Sequence, residues 1–282
     1  MRIAVGFKVT PDYEALRAAD WARLAAAEGP EGRAEATRYV RRVFGVFDEA
    51  ALELALRLRE ERERLGLTTD LAAFTVGGRE AEPFLTTVQA LGFACARVGA
   101  GAAATSEALD FSPAVTAALV AACAQRLGWD VLLLGERGGP GGSGAVPFLA
   151  AEALACPCVT GVTVVEPAPD DRLRVTFASD DGPVRAVAVP PFVLAVGNAV
   201  VSMLRVPTLK DRLAVLGRPV AEYAPEDLGV DLSVALGGST TEFVGLEPVE
   251  HRRAGVVVRG TDPAELARAL YEDHLRARLE TP

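Results

Sequence analysis

The 282 residues suffice for one large or two modest domains, and with 50% of them hydrophobic a sizeable core can form. Lys and Arg number 29 against 38 Asp and Glu, and the formal charge of −9 argues against non-specific attraction to nucleic acid or anionic lipid. The histidines, His251 and His274, are too few for a multi-histidine metal site or a conventional Ser/His/Asp triad.

In chain order, apolar runs alternate with amphipathic ones. Arg2–Lys8 reads as a strand, too brief for a signal peptide or a membrane span, so a cytoplasmic protein without membrane insertion is expected. The spacing predicts a helix over Asp48–Arg64, a strand over Asp70–Val76, a helix over Glu80–Leu91 and a strand over Ala94–Val98. A helix over Ala114–Leu127, a strand over Val131–Leu134 and a helix over Ala145–Leu154 follow. This alternation predicts an α/β fold, a doubly wound, mostly parallel sheet with ligands collecting beyond the carboxyl ends of its strands.

The most informative segment is Val131–Pro147, VLLLGERGGPGGSGAVP, where a strand covered on both faces runs into a loop of six glycines. Such a loop leaves backbone N–H groups open to an anion at the next helix N-terminus, which outlines a nucleotide phosphate site; an ordinary surface loop is the alternative. Around it, Arg137 could meet a phosphate or pair with Glu136 or Glu152. Lys8 could neutralise a phosphate or remain a solvated charge, and Asp48 could cap its helix or bind a ribose hydroxyl.

From Val159 the chain reads as short strands separated by the turns Pro167–Asp171 and Ser179–Pro183, taken as antiparallel additions to the sheet. After Gly197 prolines and glycines break every periodic run except Lys210–Leu216, which predicts a surface-wrapping tail. The expected organisation is therefore an α/β nucleotide-binding domain over residues 1–197 and a segment with a C-terminal arm over 198–282. The last helix starts at Asp262, with Pro263 in its first turn and Leu266, Ala267, Leu270 and Tyr271 as an apolar stripe. Cys95, Cys123, Cys156 and Cys158 sit in apolar surroundings and read as structural thiols. His274, on the last helix, reads as a surface residue.

Several segments in this order resemble the beta subunit of electron-transfer flavoprotein, a family that includes nitrogen-fixation-associated homologues. Phe7-Lys8-Val9-Thr10-Pro11-Asp12 is similar to the family's V-K-x-V-P-D, and Phe47-Asp48-Glu49-Ala50 to its N-P-F/Y-D/C-E. Leu133-Leu134-Gly135-Glu136-Arg137 corresponds to its L-x-G-K/R-Q, followed by Gly138 to Pro147 where the family has A-I-D-x-D-x-x-Q-V/T-G. Arg205-Val206-Pro207-Thr208-Leu209-Lys210 resembles P-R-Y-x-S/T-L-x, and Asp227-Leu228-Gly229-Val230 matches D-L-G-V/I.

The resemblance implies an adenine-nucleotide-binding, Rossmann-like fold and an electron carrier that is not catalytic alone. It pairs as a heterodimer with an alpha subunit bearing the redox FAD, holds AMP or FAD in its own cleft, and accepts electrons from flavin dehydrogenases. Carried over position by position, the cofactor site falls on Gly6, Gly45, Asp48 and Val76, then on Gly135, Arg137, Gly138, Gly142, Ser143, Gly144, Ala145 and Val146 in the loop. Arg205 and Leu209 fall in the partner-binding segment, with Leu209 as the family's hydrophobic anchor for dehydrogenases. The chain departs from the family by placing Gly45 and Val46 where an asparagine and a proline stand, Pro140 and Gly142 at two loop aspartates and Ala145 at a glutamine. Gly197–Ser202 replaces its D-L-R-x-N. These departures define the alternative, a diverged nucleotide-binding or ligand-free interaction protein of the same fold, homodimeric if isolated. An adenylating enzyme on a related fold is a third reading, without an acid/base pair to support it.

Overall fold

The computed structural model describes residues 1–99, 111–139, 142–237, 247–248 and 255–279. Two compact units divide it, Met1–Leu246 and Glu247–Pro282. In the first, a nine-stranded sheet runs in the order β11-β5-β4-β1-β6-β10-β7-β8-β9. Its strands are β1 (Arg2–Gly6), β4 (Asp70–Val76), β5 (Ala94–Val98), β6 (Val131–Gly135), β7 (Cys158–Pro167), β8 (Leu173–Ser179), β9 (Gly182–Ala188), β10 (Phe192–Val196) and β11 (Ala221–Tyr223). Pairing is parallel from β11 through to β7 and antiparallel for β7 with β8 and β8 with β9. The doubly wound α/β reading and its antiparallel additions are therefore present, with one correction. β10, expected among the antiparallel strands, is parallel to both β6 and β7 and lies between them. All five of its residues, FVLAV, are buried, as a central strand covered on both faces requires.

Strand alternation divides the core. On β6, Val131 and Leu133 face a layer that includes α3 (Asp48–Arg64) and α4 (Glu82–Ala90), while Leu132 and Leu134 face α5 (Pro113–Leu127) and α6 (Val146–Ala153). The first three turns of α3 are apolar nearly all round, and Ala50, Ala51, Leu52, Leu54, Ala55, Leu56 and Leu58 are buried. Between β1 and α3 the chain makes a ribbon of β2 (Val9–Pro11) and β3 (Arg42–Phe44), with α1 (Ala18–Ala25) and α2 (Gly29–Ala36) between its strands. Edge-on ring contacts tie it down, Phe7 to Phe44 at 5.5 Å and Phe44 to Phe84 at 4.8 Å.

β11 extends the sheet beside β5, and Leu232, at the start of α8 (Leu232–Gly237), is buried, so this stretch belongs to the first unit. The second unit holds α9 (Pro263–Leu270), where Asp262 accepts from the Ala264 N–H at 3.0 Å, then a π turn over Tyr271–Leu275 and a last helical turn. His274 is exposed there. Among the described residues no helix is long and apolar enough to cross a membrane.

Arg205 fastens the stretch after β10 to the flank of α3. Its guanidinium bonds Glu53 at 2.8 Å and also pairs with Glu60, seven residues further along the same helix face, while its N–H donates to Glu53 at 3.2 Å. Burial alone would raise the Glu53 carboxyl, but hydrogen bonds from Arg205 and Arg57 hold it below its ordinary value. Arg205→Ala would leave that buried carboxylate with Arg57 alone, and a loss of about 1–3 kcal/mol is expected in urea denaturation. Arg205→Lys, which cannot bridge two carboxylates as a planar fork does, is expected to recover only part of it.

Candidate functional site

The strand order reverses at β1: the chain winds outward through β4 and β5, then returns to place β6 on the other side of β1. At this switch point the carboxyl ends of β1, β4 and β6 open into a cleft. Gly6, Val76 and Gly135 mark the three strand ends on its wall, with Asp48 among them. Gly138, Gly142, Ser143, Gly144 and Val146 bring the glycine loop and the start of α6 to its rim. Pro140 and Gly141 of that loop lie outside the described residues.

Gly45, Arg137 and Ala145, of the residues expected at the site, are not on the wall. Arg137 is exposed, and among the described residues it forms no ion pair with Glu136 or Glu152. Ala145 is the residue preceding α6, and its N–H reaches the Ser143 hydroxyl oxygen at 3.3 Å, a turn that starts the helix. With Pro147 in the first turn, α6 begins with the Val146 and Phe148 N–H groups at its positive end. The wall also includes Phe7, Lys8, Phe74, Pro113, Thr116, Val120, Leu134, Glu136 and Pro147. Lys8 was weighed from sequence, whereas the apolar members were not. Phe74 could have been found, because it shares a strand face with Val76 by the two-residue period of β4.

Asp48 departs most from the expectation. The helix begins at Asp48 itself, Phe47 precedes it, and no side chain caps it. The carboxylate turns instead to the sheet: the Lys8 N–H donates to Oδ2 at 2.8 Å and the Gly135 N–H to Oδ1 at 3.1 Å. One side chain thus joins the segments leaving two adjacent parallel strands to the start of α3. A Cβ on Gly45 would lie 2.2 Å from Oδ2, and one on Gly135 2.4 Å from Oδ1. Gly6 has a different reason, since a Cβ there would come within 2.6 Å of Leu134 Cδ2. Desolvation pushes the Asp48 carboxyl up to about 6, against the opposing pull of the Lys8 and Gly135 N–H groups.

The sequence-predicted partner residues separate. Arg205 is engaged with Glu53 and Glu60, whereas Leu209, at the first position of α7 (Leu209–Ala214), is 72% exposed. A reciprocal cap fixes that helix, with Thr208 Oγ1 accepting from the Asp211 N–H and Asp211 accepting from the Thr208 N–H. Val200, Met203, Val206, Leu213 and Leu216 are likewise exposed on the same stretch. All four cysteines are free thiols; burial pushes Cys95 and Cys123 up to about 12 and Cys158 to about 11, which makes them unreactive. Among the described residues no three His, Cys, Asp or Glu side chains gather as a metal cluster.

Residues 36–225 match the electron transfer flavoprotein domain, a span that holds Gly45, Asp48, Val76, the glycine loop, Arg205 and Leu209. The chain is also similar to the Escherichia coli (strain K12) protein named "Putative electron transfer flavoprotein subunit YgcR". The two are 29% identical over 282 residues, covering 99% of this chain and 100% of that one.

The raised Asp48 carboxyl has a direct consequence for stability. Its folded value of about 6 lies above the ordinary 3.8, so the folded protein holds the extra proton between those limits. Asp48 therefore favours folding below pH 4 relative to higher pH, and this contribution declines as pH rises to about 6, by about 3 kcal/mol in all. Urea denaturation from pH 4 to 8 is expected to show this decline as a difference between wild type and Asp48→Asn, which has no proton to lose. Parallel pH curves for the two would contradict the assignment.

Proposed function

Because the chain belongs to the electron transfer flavoprotein family, we propose that it is a beta-type subunit, pairing with an FAD-bearing alpha-type subunit and holding an adenine nucleotide, AMP or FAD, in the cleft at the switch point. The observation that carries this reading is the placement of a glycine loop and a helix N-terminus at the joint carboxyl ends of β1, β4 and β6. Phe74, Val76, Val120 and Leu134 offer an apolar wall suited to a flat base, and Gly138, Gly142 and Gly144 leave backbone close to a phosphate.

In this reading the chain contributes no catalytic group. Its residues orient the nucleotide, keep water from its apolar side and present surfaces to other proteins; the companion's flavin supplies the redox chemistry. The exposed apolar row around Leu209 is suited to a flavin dehydrogenase, and the terminal helix to the companion subunit. The helix carries Leu266, Leu270, Leu275 and Leu279 at intervals of four, five and four. The π turn over Tyr271–Leu275 absorbs the longer interval, so the leucines keep to one side.

A specific observation favours the second reading, a diverged interaction protein: Arg137 is exposed and off the cleft wall, and the loop supplies backbone in place of side-chain donors. Denaturing the purified protein and identifying the released nucleotide by absorbance and mass decides between them. AMP or FAD is expected; an empty supernatant that stays empty after incubation with both would move the interaction protein to first place. Gly142→Val provides a second check. Its Cβ would meet the Gly138 and Gly139 carbonyl oxygens at 2.4 and 2.8 Å, so the loop must open. Loss of the bound nucleotide with a thermal midpoint within a few degrees of wild type is expected, since Gly142 is exposed and outside the core.

A further inference from the structure

At the amino end of β7, the opposite end of the parallel strands from the cleft, the chain carries two thiols on either side of one proline, Cys156-Pro157-Cys158. α6 ends just before them, and Ala155 turns the chain out of the helix with a φ of 51°. The Cys156 N–H donates to the Ala151 carbonyl at 3.1 Å, and the Pro157 carbonyl accepts from the Val193 N–H of β10 at 2.9 Å. The backbone that carries the thiols is thus held on both sides, and the proline ring fixes a further dihedral between them. Both side chains are half-buried and pack against the same apolar cluster, on the face of the sheet that α5 and α6 cover. Extended backbone puts α carbons two residues apart within about 7 Å, and the charge of Cys156 acts on Cys158.

We infer that Cys156 and Cys158 form a two-coordinate site for a soft monovalent metal ion, of which Cu(I) is the biological example. Binding forms two metal–sulfur bonds and releases both thiol protons to solvent, with no change of oxidation state. Thiolate donors select such an ion, whereas Zn(II) takes four ligands and hard cations take oxygen. Among the described residues no third His, Cys, Asp or Glu joins the pair. As free thiols the two are poor nucleophiles, but a metal ion deprotonates a coordinating thiol outright. One positive charge between two thiolates leaves a single net negative charge, far easier to hold in a half-buried position than two. The carbonyl end of α6, which carries partial negative charge, also favours a cation there. Cys95 and Cys123, buried on β5 and α5, are closed to an ion. The site is independent of the nucleotide reading of the cleft.

The test uses the full chain, reduced and under anaerobic conditions, with Cu(I) delivered from bathocuproine disulfonate as a competing chelator. Wild type is expected to take one ion per chain. Cys156→Ser and Cys158→Ser are each expected to weaken binding by about a hundredfold or more, because the second thiolate joins intramolecularly. Since both positions are only half-buried, the metal-free variants are expected to keep thermal midpoints within a few degrees of wild type. Wild-type affinity in the double variant, or wild type that leaves the ion with the chelator, overturns the inference. X-ray absorption at the copper edge of loaded wild type needs no variant: two sulfur neighbours are expected, and a shell of nitrogen or oxygen overturns the inference.

Discussion

The cleft depends on one buried carboxylate. Parallel strands end with N–H groups that their neighbours cannot satisfy, and between β1 and β6 those ends face the first turn of α3. Asp48 satisfies two of them with its two oxygens, and the cost of desolvation is visible in its raised affinity for a proton. Removing the side chain would not merely vacate a position: it would free the Lys8 segment, the Gly135 segment and the helix start from one another. The glycines at 45 and 135 belong to the same constraint, because either Cβ would occupy the space of the carboxylate.

Helix α3 carries this constraint on to the segment that leaves β10. It carries Asp48 at its start, Glu53 less than two turns on and Glu60 two turns beyond that. The first holds the mouth of the cleft, and the other two hold Arg205 and the segment that leaves β10. Both attachments are ionic or ion-assisted, and both work because the apolar body of the helix is immobilised between sheet and segment. The buried face of α3 supplies the cohesion, while its few charged side chains specify what is joined to it.

Much of the fold was legible because period and length agreed. Asp48–Arg64, Asp70–Val76 and Ala94–Val98 were delimited correctly by their apolar spacing and flanking turns. β10 was not, since FVLAV after Pro190 and Pro191 reads equally well as an edge or a central strand; only the sheet order shows that it entered between β6 and β7. β2 and β3 are three residues each, too short for a periodic signal, and they are held by Phe7, Phe44 and Phe84, contacts distant in sequence. At the site, the glycine loop and the strand ends were visible as composition, but the reason for individual glycines was not. Gly135, which lies on the cleft wall, also makes room for Asp48, a pairing across 87 residues that no local pattern encodes.

The segment that follows β10 reverses the usual arrangement of charge and apolar surface. Its arginine lies against a buried glutamate, while Val200, Met203, Val206 and Leu209 stand in water. Holding such a stretch in one conformation costs about 1–2 kcal/mol per residue in backbone entropy, and its exposed side chains return nothing toward that cost. The offset comes from elsewhere: the Arg205 bonds, the Thr208–Asp211 cap, and the packing of Leu204 against the core and of Val215, which is buried. The ordering is thus accomplished during folding, before any other protein arrives. A surface that is apolar and already ordered can be covered without a further loss of chain entropy, so the area buried there would convert to affinity with less opposed to it than in a flexible loop.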